Sequence, residues 1–238
     1  MEKIKISAVS YTNTKPFIYG IKHSSILEQI DLSLDIPADC AKKLIENQVD
    51  IGLIPVAAIP FVPNAQIISS YCIGSVGAVN SVFIFSDASI EEIKTVKLDP
   101  QSRTSNNLAK VLLKNHFKVE VDFVTDPNVK TDAIVLIGDR TFGRKAEFKY
   151  AYDMGEEWMK FTGLPFMYAA WVANKPIPAD FLEDFDEALG LGIQNIPTVI
   201  KELPVIEGID IEDYLLHKLN FNLTPEKLKA KELFLQLI

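Results

Sequence analysis

Leu98–Asn107, with the sequence LDPQSRTSNN, predicts the end of a strand, a polar turn and the start of a helix in one short stretch. Pro100 ends the strand, and Ser102, Thr104 and Ser105 are residue types that cap helix N-termini. Apolar residues then follow at helical spacing, at Leu108, Val111 and Leu112. The stretch therefore predicts a strand and a helix joined by a polar turn.

The residues of this turn suit an anion. The first N–H groups of a helix have no acceptor within the helix, and three hydroxyls and the Arg103 cation stand beside them. Such a set of donors favours a bound carboxylate or phosphate. The alternative, which these residues alone leave open, is that one Ser or Thr simply caps a surface helix.

The composition is that of a globular protein with an acidic balance. The chain has 238 residues, 48% of them hydrophobic and 24% charged, so it is long enough to bury a substantial core. A formal net charge of -8 argues against broad binding to nucleic acid or to an anionic membrane. We therefore expect a small-molecule partner held by local groups, on a monomer or homodimer.

The sequence shows no sign of export or membrane insertion. It enters an alternating pattern at once, and no later apolar stretch approaches the length of a membrane span, so we expect a cytoplasmic protein. Cys40 and Cys72 form no C-x-x-C motif and are expected to be buried thiols. His23, His116 and His217 lack metal-ligand spacing, so no metal site is expected.

Polar residues follow the first predicted strand, Lys3–Val9. They occupy Ser10–Pro16, at the carboxyl end of the strand, which is where ligands bind in open α/β sheets. Asp50–Val56 reads as a buried parallel strand whose end, at Pro55, faces the same rim. Asn13 is therefore a candidate ligand contact, and the alternative is a turn residue that bonds its own backbone.

A long apolar segment, Val79–Ser86, predicts a strand that crosses between two lobes. Ser81 would lie near this crossing, as a ligand contact or as a buried Ser satisfied by the backbone. Ser89–Ile93 is predicted as a short helix.

A second polar strand end follows the apolar strand Ala133–Ile137, at Gly138 and Asp139. Asp139 is a candidate site residue for the same reason as Asn13. The alternative is that it caps the next turn or pairs with Arg140 or Arg103.

The remaining elements are read from periodicity and turn residues. Strands are predicted at Leu32–Ile36, Ile67–Ile73, Val96–Leu98, Glu120–Val124 and Met167–Ala173. Helices are predicted at residues 37–47, at Asp180–Gln194, Pro197–Leu203 and Ile211–Leu216, and at Pro225–Leu237. Tyr152–Thr162 is predicted as a strand end followed by a helix.

Two predicted crossings, near Val79–Ser86 and Pro165–Ala173, divide the chain into two α/β lobes. The first lobe is expected to comprise residues 1–84 and 170–238, and the second residues 85–169. Polar strand ends at Asn13, at Ser102–Ser105 and at Asp139 would then line one ligand cleft. This layout resembles the periplasmic-binding-protein type II fold, which hosts both transport receptors and enzymes.

A closer resemblance lies in five motifs taken together. They are S-Y-T-N-T-K-P at 10–16, V-D-I-G-L-I-P-V at 49–56, D-P-Q-S-R-T-S at 99–105, I-G-D-R at 137–140 and W-M-K-F-T-G-L-P-F at 158–166. In this order they resemble the chorismate dehydratase family of the futalosine route to menaquinone. The similarity runs from about Lys3 to Val172, and Lys15 departs from the smaller apolar residue expected there.

The resemblance implies a lyase that removes water from chorismate to give 3-[(1-carboxyvinyl)oxy]benzoate. The ring becomes aromatic, so the protein needs mainly to orient a dianion, stabilise developing charge and help hydroxide leave. No metal, nucleotide or redox cofactor is implied.

The resemblance also implies roles for particular residues. Thr104, Ser105 and the helix end, with Arg103, would hold a substrate carboxylate, and Asn13 and Ser81 would contact the ring hydroxyl or the enolpyruvyl group. Asp139 would accept a proton or position the substrate, and the alternative base is the substrate's own enolpyruvyl carboxylate. The predicted catalytic residues are Asn13, Ser81 and Asp139. The predicted substrate-binding residues are Ser10, Tyr11, Pro55, Ser102, Arg103, Thr104, Ser105 and Gly138.

Two other functions stay open at the level of sequence. One is a solute-binding protein that closes on a small organic anion without chemistry. The other is the sister enzyme of the same pathway that makes dihydroxynaphthoate. That enzyme's expected histidine would have to be His23, His116 or His217, and none of them falls in a strand-end motif.

Overall fold

The computed structural model describes residues 3–238, and Met1 and Glu2, with which the predicted first lobe begins, lie outside the described residues. The chain divides into two compact units. Unit 1 takes the chain as far as Gly74, together with Met167–Val205 and Asn220–Thr224. Unit 2 comprises Ser75–Phe166, Ile206–Leu219 and Pro225–Ile238. This division differs from the predicted lobes, because Ser81 and the last helix belong to unit 2.

The strands and helices fall close to the apolar patterns of the sequence. The strands are β1 Ile4–Val9, β2 Ile30–Asp35, β3 Ile51–Pro55, β4 Gln66–Ser75, β5 Val82–Ser86, β6 Thr95–Lys97, β7 Asp122–Val124, β8 Ala133–Ile137, β9 Tyr150–Asp153, β10 Phe166–Ala173 and β11 Asn220–Asn222. The helices are α1 Lys15–Lys22, α2 Pro37–Ile45, α3 Arg103–Val111, α4 Met154–Thr162, α5 Ala179–Gln194, α6 Ile196–Glu202, α7 Ile211–Asp213 and α8 Pro225–Leu237.

Unit 1 is built on a six-stranded sheet in the order β11-β4-β10-β3-β1-β2. Strands β1, β2 and β3 run parallel, and β10 joins β3 antiparallel. All residues of β3 are buried, as its continuous apolar sequence predicts. The rings of Phe17, Trp171 and Phe185 meet edge to face in the core.

Unit 2 is built on a five-stranded sheet in the order β7-β6-β8-β5-β9. Strand β6 runs parallel to β7 and β8, so the carboxyl ends of β6 and β8 lie side by side. Strand β5 pairs antiparallel with β8 and β9. In the core, the Phe234 ring of α8 packs 5.2 Å from that of Phe166 and 6.2 Å from that of Trp158.

Three predicted elements differ from the structure. Val79–Ser86 was expected to be one long strand, but β5 begins only at Val82, because Asn80 takes the left-handed conformation with φ 59°. Ser89–Ile93 forms a turn rather than a helix. The helix expected at Ile211–Leu216 is a single turn that continues as a π-helical segment, and strand β11 was not predicted at all.

Both cysteines are buried and free, which confirms the predicted thiols. Burial raises the pKa of the Cys40 thiol to about 12, so it stays protonated at neutral pH. Among residues 3–238, no helix is long and apolar enough to cross a membrane.

Candidate functional site

The first turn of α3 carries the hydroxyl groups picked out in the sequence. Ser102 is the N-cap, since its Oγ accepts a hydrogen bond of 3.0 Å from the N–H of Ser105. Thr104 and Ser105 lie within the turn and are only 2% and 3% exposed, whereas Arg103 is exposed. The polar turn is therefore largely enclosed by protein, which strengthens hydrogen bonds made there.

Asp99 fastens this turn to the end of the neighbouring strand. One carboxylate oxygen accepts from the backbone N–H of Gln101 at 2.8 Å. The other accepts from the N–H of Ile137 at 3.2 Å and from the Arg140 guanidinium at 2.6 Å. The Asp99 side chain is completely buried, so a single carboxylate fixes the turn after β6 against the end of β8.

This arrangement brings two of the predicted strand ends together within unit 2. Gly138 and Asp139 follow β8 directly and form a 3₁₀ turn that continues to Thr141. Gly138 has φ 63°, which favours glycine at this point. Asp139 is half-buried in that turn, and the ion pair of Arg140 is made with Asp99.

Ser81 lies beside the same turn. Its carbonyl accepts a hydrogen bond of 2.8 Å from the N–H of Gly138. Its side chain is 2% exposed, and its Oγ accepts a hydrogen bond of 2.9 Å from the Tyr214 hydroxyl. The partner of this buried hydroxyl is therefore a side chain distant in sequence rather than the backbone alone.

The backbone before Ser81 is held by the buried carboxylate of Asp153. This carboxylate accepts from the N–H groups of Val79 and Asn80, and it also caps α4. Burial raises the pKa of Asp153, and the hydrogen bonds from the backbone N–H groups partly oppose that shift. Asp153 thus links the start of β5 to the start of α4 and fixes the position of Ser81.

The other predicted site residues lie in unit 1. Ser10 donates its N–H to the Asp35 carbonyl at 2.9 Å, and Tyr11 precedes a 3₁₀ turn that contains Asn13. The amide oxygen of Asn13 accepts from the Thr14 hydroxyl at 3.1 Å. Pro55 is the buried last residue of β3. That these residues share a cleft with those of unit 2 stays a prediction.

Three residues of the site were missed in the sequence. Asp99 was read only as part of the turn, although an Asp whose side chain accepts a hydrogen bond from the N–H two residues further on is a recognised turn signal. Asp153 lay at a predicted strand end and Tyr214 in a predicted helix, and nothing in the neighbouring sequence marks the distant groups that they bond. Among residues 3–238, no cluster of three His, Cys, Asp or Glu side chains suits a metal ion.

Solved structures define the class of protein. Protein AF1704 from Archaeoglobus fulgidus superposes with a TM-score of 0.75 at 14% identity, over 99% of this chain and 96% of that one. A Candida albicans protein described as having the generic periplasmic binding protein fold gives 0.68 at 12% identity, over 100% and 90%. The alkanesulfonate-binding protein SsuA from Xanthomonas axonopodis pv. citri, bound to MOPS, gives 0.63 at 12%, over 100% and 93%. The predicted fold class, an α/β protein of the periplasmic-binding-protein type, is thereby confirmed.

Sequence comparison then gives the family. A family model described as menaquinone biosynthesis matches residues 4–238, nearly the whole chain, and the chain belongs to that family. The family resemblance inferred from the five motifs is confirmed by this match.

Proposed function

We propose that the protein is a chorismate dehydratase, a lyase that removes water from chorismate to give 3-[(1-carboxyvinyl)oxy]benzoate. The observation that carries this proposal is the enclosed first turn of α3, with Thr104 and Ser105, which Asp99 links to the strand end that precedes Asp139. Membership of a menaquinone-biosynthesis family makes an acidic small molecule the natural substrate for these donors.

A substrate carboxylate is proposed to bind at the first turn of α3. Ser102 already uses the N–H of Ser105, so Ser105 contributes its hydroxyl rather than its amide. The hydroxyl of Thr104 and the helix end supply further donors, and exposed Arg103 adds positive charge. Hydrogen bonds to a charged group are worth about 1.5–3 kcal/mol each, so a few suffice to orient the substrate.

The elimination needs a base and a hydrogen-bond donor to the departing oxygen. A base removes the ring hydrogen, the C–H electrons form the new ring double bond, and the C–O bond breaks as hydroxide leaves and takes up a proton. We assign Ser81 as the donor to the departing oxygen, because its Oγ is buried beside the Gly138 turn. The base is either Asp139 or the substrate's own enolpyruvyl carboxylate.

Substrate contacts in unit 1 are part of the proposal through Asn13. Its amide oxygen is used by Thr14, which leaves the amide N–H₂ to donate to the ring hydroxyl or the enolpyruvyl group. Ser10, Tyr11 and Pro55 are proposed as neighbouring contacts.

The reaction would belong to the futalosine branch of the pathway, and two free buried thiols suit a reducing compartment such as the cytoplasm. A monomer or homodimer would suffice.

A second candidate is a binding protein for a small organic anion. It is favoured by one observation, the fold shared with an alkanesulfonate-binding protein solved with MOPS. Incubation with chorismate separates the two candidates. A dehydratase converts chorismate to an aromatic acid that is lighter by one water, seen by absorbance and by mass. Recovery of intact chorismate from a folded protein would reject the dehydratase.

Two buried serines next to β5 give a matched pair of variants. Ser81 precedes the strand beside the candidate site, and Ser86 ends it, bonded to the carbonyls of Ala88 and Asp132. We expect Ser81→Ala to lower kcat by about 100-fold, the cost of one donor to developing negative charge. Ser86→Ala should retain wild-type kcat. Equal losses in both variants would remove Ser81 from the reaction.

A further inference from the structure

The hydrogen bond between Tyr214 and Ser81 joins residues 133 positions apart in the chain. Tyr214 is 1% exposed and Ser81 is 2% exposed, so neither hydroxyl depends on bulk water for its partner. We infer that Tyr214 is a positioning residue, which holds the Ser81 hydroxyl so that its hydrogen points at the departing oxygen of the substrate. This inference rests on the proposed dehydratase function.

The direction of the hydrogen bond is the first support. A serine hydroxyl has one hydrogen to donate and two lone pairs to accept with. Tyr214 donates at 2.9 Å and occupies one lone pair, while the Ser81 carbonyl is taken by the N–H of Gly138. The Ser81 hydrogen is thereby directed towards another acceptor. A hydroxyl that receives a hydrogen bond is also a better donor, because the two bonds polarise each other.

The packing of Tyr214 is the second support. Its ring meets the Phe142 ring edge to face, with centroids 5.5 Å apart. Phe142 follows directly on the Gly138–Thr141 turn, so the residues that hold the ring and the candidate site share one short segment. Tyr214 also begins a π-helical segment, in which the N–H of Leu219 bonds its carbonyl at 3.0 Å. Single π-helical turns are frequent at functional sites.

Two facing glycines fix the segment that carries Tyr214. Gly143 and Gly208 have φ 75° and 81°, a region that favours glycine, and the N–H of Gly143 donates to the Gly208 carbonyl at 3.0 Å. A Cβ on Gly208 would collide with the backbone of Gly143. Asp210 then caps α7 by accepting from the N–H groups of Glu212 and Asp213. The contact at Gly208 and the cap at Asp210 therefore fix the segment that places Tyr214 against Ser81.

A purely structural role makes a different prediction. In that case the bond would only satisfy a buried phenol, and its loss would lower stability without acting on the chemical step. A positioning role predicts that the loss appears in kcat and depends on Ser81.

The test compares Tyr214→Phe with Tyr152→Phe. Tyr152 also lies in unit 2, and its hydroxyl accepts from the N–H of Ile90 at 2.9 Å, so its variant removes a structural hydrogen bond. We expect Tyr214→Phe to lower kcat about tenfold, the rate equivalent of one hydrogen bond, with KM changed less than about twofold. Tyr152→Phe should keep wild-type kcat. In a Ser81→Ala background, Tyr214→Phe should cause no further loss.

Each outcome decides the inference. Unchanged kcat in Tyr214→Phe, or an equal loss in the Ser81→Ala background, would overturn the positioning role while the dehydratase stands. A wild-type protein that leaves chorismate intact would reject the proposed function and this role with it.

If Tyr214→Phe does not fold, 3,5-difluorotyrosine at position 214 keeps the shape of the side chain and lowers the phenol pKa. A positioning role predicts that kcat falls with rising pH as this phenol ionises, and that the fall begins at lower pH in the fluorinated protein. Identical pH profiles for the two proteins would contradict the inference.

Discussion

Each unit has a carboxylate that pairs with a cation at the end of a parallel strand, and the two pairs differ in what they hold. In unit 1, Asp35 bonds Lys43 at 2.6 Å and the hydroxyls of Ser7 and Ser33 at 2.7 Å each. In unit 2, Asp99 bonds Arg140 at 2.6 Å, but its other partners are backbone N–H groups. Asp35 is 17% exposed in its side chain and Asp99 is fully buried.

The ion pair of Asp35 stabilises the scaffold of unit 1, whereas that of Asp99 shapes the candidate site in unit 2. Asp35 ties side chains of β1, β2 and α2 to one another, so its loss leaves the backbone course of the strands intact. Asp99 sets the course of the backbone itself at two adjacent strand ends, where the candidate site lies. Asp99 therefore fixes the backbone geometry on which the candidate site depends.

The largest expected effect is that of Asp99→Asn. Breaking a buried ion pair typically costs about 3–5 kcal/mol, and we expect that loss in the free energy of unfolding measured with urea. Because the turn at α3 would shift, kcat should fall by about 100-fold in the protein that remains folded. Asp35→Asn is the matched control and should keep wild-type kcat. Equal kinetic losses in the two variants would break the contrast.

Asn13→Ala tests whether unit 1 supplies more than a scaffold. We expect kcat to fall by about 100-fold, the usual cost of one donor to developing charge. Asn195→Ala, which removes a side-chain bond to the Leu191 carbonyl in the same unit, should leave kcat unchanged. Near-normal turnover by a folded Asn13→Ala protein would remove unit 1 from the proposed chemistry.

Thr104→Val addresses the anion site directly. Loss of one hydrogen bond to the substrate carboxylate should raise KM about tenfold, with a smaller change in kcat. Thr162→Val is the control. It removes a half-buried hydroxyl that donates to the Trp158 carbonyl at the end of α4, and it should not alter KM. Unchanged KM in Thr104→Val would mean that the carboxylate binds elsewhere.

The smallest expected effect concerns the pH dependence of stability. Burial raises the pKa of Asp35, but hydrogen bonds from Lys43, Ser33 and Ser7 outweigh it and hold the pKa below the ordinary value of 3.8. The ionised form therefore stabilises the folded state above pH 3.8, and this contribution is lost as the pH falls through the lowered pKa. Asp35→Asn should cost about 1 kcal/mol at pH 7 and progressively less in acid. A pH-independent difference in urea unfolding would contradict this assignment.

Much of the fold could be predicted from local patterns. Ala133–Ile137 was predicted to the residue, and the start of α2 at Pro37 followed from a proline after an extended residue. The prediction was wrong at Val79–Ser86, because the left-handed Asn80 and its bond to Asp153 depend on a strand 73 residues away. Periodicity carries no information about such distant partners.

The candidate site was predictable only where its residues have local signals in the sequence. Ser102 as an N-cap and the polar residues after β8 have local signals, namely a hydroxyl before a helix and polar groups after an apolar strand. Tyr214 has none, because its role depends on the 206–219 segment packing within unit 2, far from its neighbours in sequence. The roles of Asn13, Ser81 and Asp139 stay predictions until variants are assayed.

The placement of α8 has a consequence for biosynthesis. The Phe234 ring packs edge to face against both Trp158 and Phe166, so this side of the aromatic cluster of unit 2 stays uncovered until residues 225–237 have left the ribosome. Until then the nascent protein presents apolar surface to its surroundings, which is a hazard for aggregation. Shielding of this aromatic cluster by a chaperone during translation would therefore raise the yield of native protein.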